Sequence, residues 1–213
     1  MFRSLKIVFT LDGTGVYYDP NEPIMLDSLL SACLCRFHVH GEPPSRDEVP
    51  VDIPLPLMRH EINGTWIWHA SALFPDGDQA ESLQFWRRRL RQNRIEIASG
   101  SPNTSNGPYR DWNAPLPLLL CPRMIAYAYG DAGRVRRELR RGIKALGKKR
   151  AHGRGAVVDI EVEEVEQDYS IARDGKVMRY LPAPSGWLEV RPRPPYWNNH
   201  GRVLCLVPGD SIK

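Results

Sequence analysis

The sequence predicts an α+β fold in which an antiparallel sheet carries two helices on one face. Two kinds of apolar pattern support this prediction. Alternating runs are typical of half-buried strands, and runs spaced by three and four residues are typical of amphipathic helices. They follow one another in the order strand, helix, strand, strand, helix, strand. With 213 residues the chain is long enough to bury a core of this kind.

The first half of the pattern contains two strands and a helix. The first strand is predicted over residues 3–10 and the first helix over residues 26–41, which end in His38, His40 and Gly41. The second strand is predicted over residues 65–74. Alternation puts Trp66 and Trp68 on the same side of this strand, where we assign them to the core.

The second half repeats this pattern in the same order. A third strand is predicted over residues 122–130, and Asp131 is a suitable N-cap for a second helix over residues 131–147. A fourth strand follows over residues 156–165. Together the six elements predict the split βαβ arrangement of a ferredoxin-like or RRM-type unit.

Two further regions complete the predicted organisation. Residues 1–165 would form the ferredoxin-like domain, with a long insertion at residues 75–121 between its second and third strands. Insertions of this length are usually functional. Residues 166–213 would form a C-terminal β extension, with short strands around 176–181, 187–190 and 202–207.

Charge is distributed unevenly along the chain. Between Phe85 and Gly155 there are 17 Lys and Arg residues against 4 acids, whereas the remainder has 12 basic and 21 acidic residues. A basic segment of this strength indicates a surface for a polyanion such as nucleic acid. The alternative is a solvated charged surface without a ligand.

A glycine-rich basic loop, LGKKRAHGRG, follows the second predicted helix. It lacks the GxxxxGK[ST] pattern of a nucleotide-binding P-loop. Its glycines would let phosphates approach the backbone, and its cations would bind them; the alternative is a C-cap loop with solvated charges. The candidate residues are Gly147, Lys148, Lys149, Arg150, His152, Gly153, Arg154 and Gly155.

The insertion supplies a second group of candidates. In GPYRDW, Tyr109 and Trp112 are suited to stacking on bases and Arg110 to holding a phosphate, although a proline turn with buried aromatics is an equal alternative. The arginines of the run RRRLRQNR are suited to contacting a guide strand or a nucleic-acid duplex. The neighbouring Trp86 is assigned to the core. The candidate arginines of this run are Arg87, Arg88, Arg91 and Arg94.

Other function classes have weaker support. No apolar run is long enough for a membrane span, the four cysteines lack paired CxxC spacing, and we expect a cytoplasmic protein without metal or cofactor. His38, His40 and His152 are the histidines that would support metal-free RNA cleavage. Isolated histidines are more often surface or capping residues, so we expect no catalytic residue.

The stretches PIMLDSLL, GPYRDW and LGKKRAHGRG together resemble the RAMP superfamily of CRISPR proteins. The hallmark of that superfamily is a glycine-rich loop after the second helix of a ferredoxin-like fold, here Gly147 to Gly155. The chain most resembles the Cas-five-like subunit of type IV CRISPR effector complexes. The resemblance extends over residues 3–182.

This resemblance implies a non-catalytic RNA-binding subunit. Such a subunit holds the 5′ handle of the CRISPR RNA, caps the filament of backbone (Cas-seven-like) subunits, and lies beside the large subunit near the target DNA duplex. The insertion at residues 75–121 corresponds to a thumb that grips the guide. The alternative hypothesis is a metal-independent endoribonuclease that processes the CRISPR repeat RNA.

Overall fold

The structure, a computed structural model, describes residues 1–38, 46–89, 105–106 and 110–212. Within these ranges the fold is α+β, as the sequence predicts. The helices are α1 (Leu26–His38) and α2 (Ala132–Gly142). The strands are β1 (Phe2–Leu11), β2 (Val16–Tyr17), β3 (Arg59–Ile62), β4 (Thr65–Trp68), β5 (Phe74–Asp76), β6 (Ala80–Arg88), β7 (Trp112–Leu120), β8 (Arg123–Asp131), β9 (Val157–Val165), β10 (Ala172–Arg173), β11 (Lys176–Val177), β12 (Leu181–Pro182), β13 (Leu188–Val190) and β14 (Val203–Leu206).

The main sheet has four strands in the order β5-β8-β1-β9, and every neighbouring pair is antiparallel. Because side chains alternate along β1, Leu5, Ile7 and Phe9 all point to the face that packs against the two helices, and all three are buried. The strands predicted over 3–10, 122–130 and 156–165 are confirmed, with each end within one residue of the observed one.

Helix α2 begins where the sequence predicts and ends earlier. The Asp131 side chain caps it by accepting from the backbone N–H of Arg134 at 2.9 Å. The helix ends at Gly142, and Ile143 is already extended. A Cβ at Gly142 would collide with the side chain of Cys33, so glycine there permits close packing of α2 on α1. The predicted extension to residue 147 is therefore wrong, although Ile143 and Leu146 are still buried. Neither helix is long and apolar enough to cross a membrane.

The predicted second strand over residues 65–74 is only partly correct. Thr65–Trp68 pairs instead with Arg59–Ile62 in a hairpin, closed by left-handed Asn63 and Gly64. The strand that joins the main sheet is the short β5, paired with β8. The core assignment is confirmed for Trp68, which is buried, whereas Trp66 is half-buried and packs against the core.

The C-terminal residues form small sheets, one of three strands in the order β12-β14-β13 and one of β10 and β11. The fully buried Arg179 ties them to the rest of the protein. Its guanidinium donates to the carbonyl oxygens of Trp68 and Ala70, the latter at 3.0 Å. It also pairs with the fully buried Asp27 of α1 at 3.3 Å. The extension thus shares its packing with the N-terminal part of the chain.

Candidate nucleic-acid interface

The glycine loop, residues 147–155, is held at its base by backbone hydrogen bonds. The N–H of Gly155 donates to the carbonyl of Gly15 at 2.8 Å, and the N–H of Leu146 donates to the carbonyl of Gly155 at 2.8 Å. Between these points the chain makes a single 3₁₀ turn at Arg150–His152. The loop is therefore an ordered projection, fixed against the turn between β1 and β2.

Two of its glycines are explained by packing. Gly147 has φ +75°, and a Cβ there would lie 2.6 Å from the carbonyl oxygen of Tyr17. Gly155 has φ +66°, and a Cβ there would collide with the carbonyl oxygen of Leu146 and lie 2.9 Å from a methyl group of Val16. Gly153 is different, because the space around it is open and only its φ of +76° favours glycine. Glycine at 147 and 155 thus permits close approach of β2.

The predicted insertion contains a long β-hairpin of β6 and β7, paired from Ala80 and Leu120 to Arg88 and Trp112. Because side chains alternate along each strand, the hairpin has two faces. We call them the inner and outer faces. The inner face carries Gln84, Trp86, Arg88, Trp112, Ala114 and Leu116, and the outer face carries Glu81, Leu83, Phe85, Arg87, Asn113, Pro115 and Pro117.

The glycine loop lies against the inner face. The ring of His152 is 4.5 Å from that of Trp86, and the Lys149 ammonium lies 4.5 Å from the centre of the Trp86 ring. The same ammonium is 5.9 Å from the Trp112 ring. Trp86 is half-buried and belongs to none of the core clusters, so its assignment to the core is wrong. Trp86 is therefore a contact residue between the loop and the hairpin.

Gln84 and Arg154 brace this contact. The Arg154 guanidinium donates to the carbonyl of Thr14 and, at 3.3 Å, to Oε1 of Gln84. The hydroxyl of Tyr17 donates to the same oxygen at 2.7 Å. Arg154 therefore acts mainly within the protein. Sequence reasoning missed Gln84, although its position two residues before Trp86 puts it on the same face of a strand.

The other loop cations are more open. Lys148 is exposed and pairs with Glu22 at 2.6 Å. In the described part of the chain no carboxylate pairs with Lys149 or Arg150. A shallow cleft of about 290 Å³ lies beside them, bordered by Arg150, Lys148, Tyr17, Tyr18, Pro115 and Leu116. Burial raises the pKa of the Tyr18 hydroxyl at the edge of this cleft.

The structure separates the candidates of the insertion. Arg88 and Trp112 lie opposite each other on the inner face, the face that the loop contacts. Arg87 points to the outer face, where its Nε donates to Asn113 at 3.2 Å. Arg110 is exposed just before β7. Arg91, Arg94 and Tyr109 lie outside the described residues, as do His40 and the side chain of His38.

The cations of α2 are used differently from those of the loop. Arg136 donates to the carbonyl of Val162 at 2.6 Å, and Arg140 donates to the carbonyl of Ile160 at 2.9 Å. Both acceptors belong to β9, an edge strand of the main sheet. Arg137 pairs with the buried carboxylate of Glu138 at 3.0 Å. Arg136 and Arg140 thus fix the helix to the sheet, whereas the Arg137 pair lies within the helix.

A histidine–aspartate pair that sequence reasoning missed lies elsewhere, beside the main sheet. His69 Nδ1 is 2.9 Å from Asp168 and 3.2 Å from Ser170. Burial alone would raise the pKa of Asp168, but its hydrogen bonds with His69 and Ser170 outweigh burial and lower it. The His60 ring packs edge-on against His69 at 5.3 Å. This group joins the segment after β9 to the residue after β4.

The loop and the inner face together offer the two kinds of contact that single-stranded RNA needs. Lys149, Arg150 and Arg88 supply positive charge for phosphates. Trp86 and Trp112 supply indole rings suited to stacking on bases. No acid–base partner contacts His152 among the described residues. The geometry is therefore suited to binding.

The comparisons with known proteins agree with the resemblance. The family model of CRISPR type IV associated protein Csf3 matches residues 3–103, which are 101 of the 213 residues. No curated protein matches the chain. The matched part includes β6 and ends before β7 and the glycine loop. The resemblance found in the sequence is thus confirmed, and over residues 3–103 the chain is similar to a type IV CRISPR-associated protein.

Proposed function

We propose that this protein is a non-catalytic subunit of a type IV CRISPR ribonucleoprotein and binds the 5′ handle of the CRISPR RNA. It caps the filament of backbone subunits, contacts the large subunit and helps to position the target DNA duplex near the adjacent motif. The match to Csf3 supports the complex. The strand order β5-β8-β1-β9 supports a ferredoxin-like RAMP fold, because it is the order that two interleaved βαβ units give.

One observation carries the RNA-binding part of this proposal. Lys149 and His152 of the glycine loop lie on Trp86 of the hairpin, each at 4.5 Å. Two segments far apart in sequence therefore present charge and an indole ring at one place. Like charges on loop and hairpin repel each other, and a polyanion between Arg150 and Arg88 relieves that repulsion.

The salt dependence of RNA binding tests the proposal. Each phosphate contact to a single strand releases counterions and adds about 0.7 to the slope of log affinity against log salt. Replacing Lys148, Lys149 and Arg150 by Glu should weaken binding to the 5′ handle of the protein's own CRISPR RNA by several kcal/mol and flatten this slope. Fluorescence anisotropy over a range of salt concentrations measures both quantities.

A matched control changes the net charge equally at a distance from the loop. Arg3, Lys176 and Arg202 are exposed cations outside the loop and the hairpin. Replacing these three by Glu should leave the slope unchanged. A loop variant with the slope of the unmodified protein would remove the loop from the RNA site.

The alternative function is a metal-independent endoribonuclease that processes repeat RNA. Its supporting observation is the position of His152, which is exposed beside Lys149 and Trp86. We expect no specific cleavage when the purified protein is incubated with repeat RNA in EDTA. Cleavage that is lost in His152→Ala, His38→Ala or His40→Ala, and blocked by a 2′-deoxy substitution at the cut site, would establish the alternative.

A further inference from the structure

The two edges of the β6–β7 hairpin differ in their capacity to bind another strand. The outward edge of β7 pairs at one end with β2, where the N–H of Tyr18 donates to the carbonyl of Pro117 at 3.3 Å. Every second residue of β7, counted from Pro117, therefore directs its backbone groups away from β6. Pro115 is one of them, and neither proline has an N–H to donate. This edge is closed to a further strand.

Among the residues that the structure describes, no strand pairs with the outward edge of β6. Because the register of the hairpin is regular, Ser82, Gln84 and Trp86 direct their backbone groups toward β7. The N–H and C=O groups of Glu81, Leu83, Phe85 and Arg87 consequently point away from the hairpin. In the part of the chain that the structure describes, β6 pairs with β7 alone.

The same four residues carry the outer-face side chains, and two of these are large and apolar. Leu83 is 57% exposed and Phe85 is 50% exposed. A long edge strand with exposed apolar side chains is prone to pairing with another chain unless something covers it. Proteins commonly protect such edges with prolines, which this hairpin has on β7 and lacks on β6.

The sequence of this edge is complementary to itself. In an antiparallel pairing of two copies centred on Gln84, Glu81 of one copy lies opposite Arg87 of the other, and Leu83 lies opposite Phe85. All of these are residues with outward backbone groups, so each opposed pair exchanges hydrogen bonds. Opposite charges across a strand pair are stabilising. No carboxylate pairs with Arg87, and no cation with Glu81, in the described residues.

We propose that the outer edge of β6 binds the same edge of a second copy of this chain, forming a six-stranded sheet about a two-fold axis through Gln84. The axis is perpendicular to the sheet, so the apolar outer faces of the two hairpins become continuous. The inner faces, with Trp86 and the glycine loop, remain uncovered. The inference does not depend on RNA binding.

The two charged positions allow a test that is specific to this register. Glu81→Arg places Arg opposite Arg in both pairs of the homodimer, and Arg87→Glu places Glu opposite Glu. The self-association of each variant alone should be weakened by about tenfold or more, because like charges are opposed in both pairs. A mixture of the two variants opposes Arg to Glu in both pairs and should restore a heterodimer. Light scattering coupled to size-exclusion chromatography measures the mass, against 24.3 kDa for one chain.

Two further variants complete the experiment. Asp78→Arg makes the same charge change in the exposed turn before β6 and should leave the dimer intact. Leu83→Pro removes an outward N–H without breaking a hydrogen bond to β7, and should give a monomer whose circular dichroism is unchanged. The proposal is overturned by a monomeric unmodified protein, by single charge variants that dimerise normally, or by a mixture that stays monomeric. A monomer that binds an extended segment of another subunit at β6 would be one such outcome.

Discussion

Helix α2 and the glycine loop are neighbours in sequence, equally rich in arginine and lysine, and they use these side chains in opposite ways. On the helix, Arg136 and Arg140 donate to backbone carbonyls of β9. On the loop, Lys149 and Arg150 have no carboxylate partner among the described residues, and Lys149 lies on an indole ring. A count of charges along the sequence therefore overstates the surface available to a polyanion.

The first prediction concerns the frame of the loop, where the largest effect is expected. Gly147→Ala should lower the free energy of unfolding by about 3 kcal/mol, from the left-handed backbone (about 1–2 kcal/mol) and from overpacking against Tyr17. The space around Gly153 is open, so Gly153→Ala should lower the free energy of unfolding only by the contribution of the left-handed backbone, about 1–2 kcal/mol. Urea denaturation measures both. Equal costs would mean that the loop is not fixed against β2.

The second prediction tests whether the hairpin contributes to RNA binding through Trp86. Trp86→Ala should weaken handle RNA binding by about 1–3 kcal/mol, the usual contribution of a base-stacking aromatic residue. Trp197 is 42% exposed in the C-terminal extension, and Trp197→Ala should have no effect on RNA binding. Affinities measured by anisotropy would contradict the account if both variants bound RNA equally well.

A pair of single substitutions separates the two kinds of cation. Arg140→Ala should lower the free energy of unfolding by about 1 kcal/mol, because a hydrogen bond to β9 is lost, and should leave RNA affinity unchanged. Lys149→Ala should do the reverse, with reduced RNA affinity and unchanged stability. Both quantities are measured for both proteins, and reduced RNA affinity in Arg140→Ala would assign the helix to the site.

The smallest expected effect distinguishes the faces of the hairpin. Arg88→Ala should reduce the slope of log affinity against log salt by about 0.7, since one phosphate contact to a single strand is removed. Arg87→Ala is the matched control, because it removes the same side chain from the opposite face. Its slope should equal that of the unmodified protein. A larger change for Arg87 than for Arg88 would place the RNA on the outer face.

Much of the fold could be predicted because local patterns determine it. The alternation of Leu5, Ile7 and Phe9 and the cap at Asp131 are properties of short segments, and both predictions are confirmed. The second strand was misplaced because the Asn63–Gly64 turn folds Thr65–Trp68 back on Arg59–Ile62. The apolar run at 65–74 alone does not reveal that pairing.

The candidate site was harder to predict, because it depends on which segments meet in space. The cations and glycines of the loop could be read from the sequence, yet the packing of Gly147 and Gly155 against β2 could not. Trp86 is a large aromatic residue of the kind that is common in protein cores, so its sequence context does not distinguish it from a core residue. Only the hairpin register, with Trp86 on the inner face, places it beneath Lys149 and His152.

Photo-crosslinking of handle RNA to the protein, with the crosslinked peptides identified by mass spectrometry, tests the central claim most directly. The account predicts crosslinks on residues 147–155 and on the inner-face residues Trp86 and Trp112. It predicts none on α2 or on Phe85 of the outer face. Crosslinks concentrated on residues 132–142, with the loop unlabelled, would show that the arginines of α2 bind the RNA and would contradict the account.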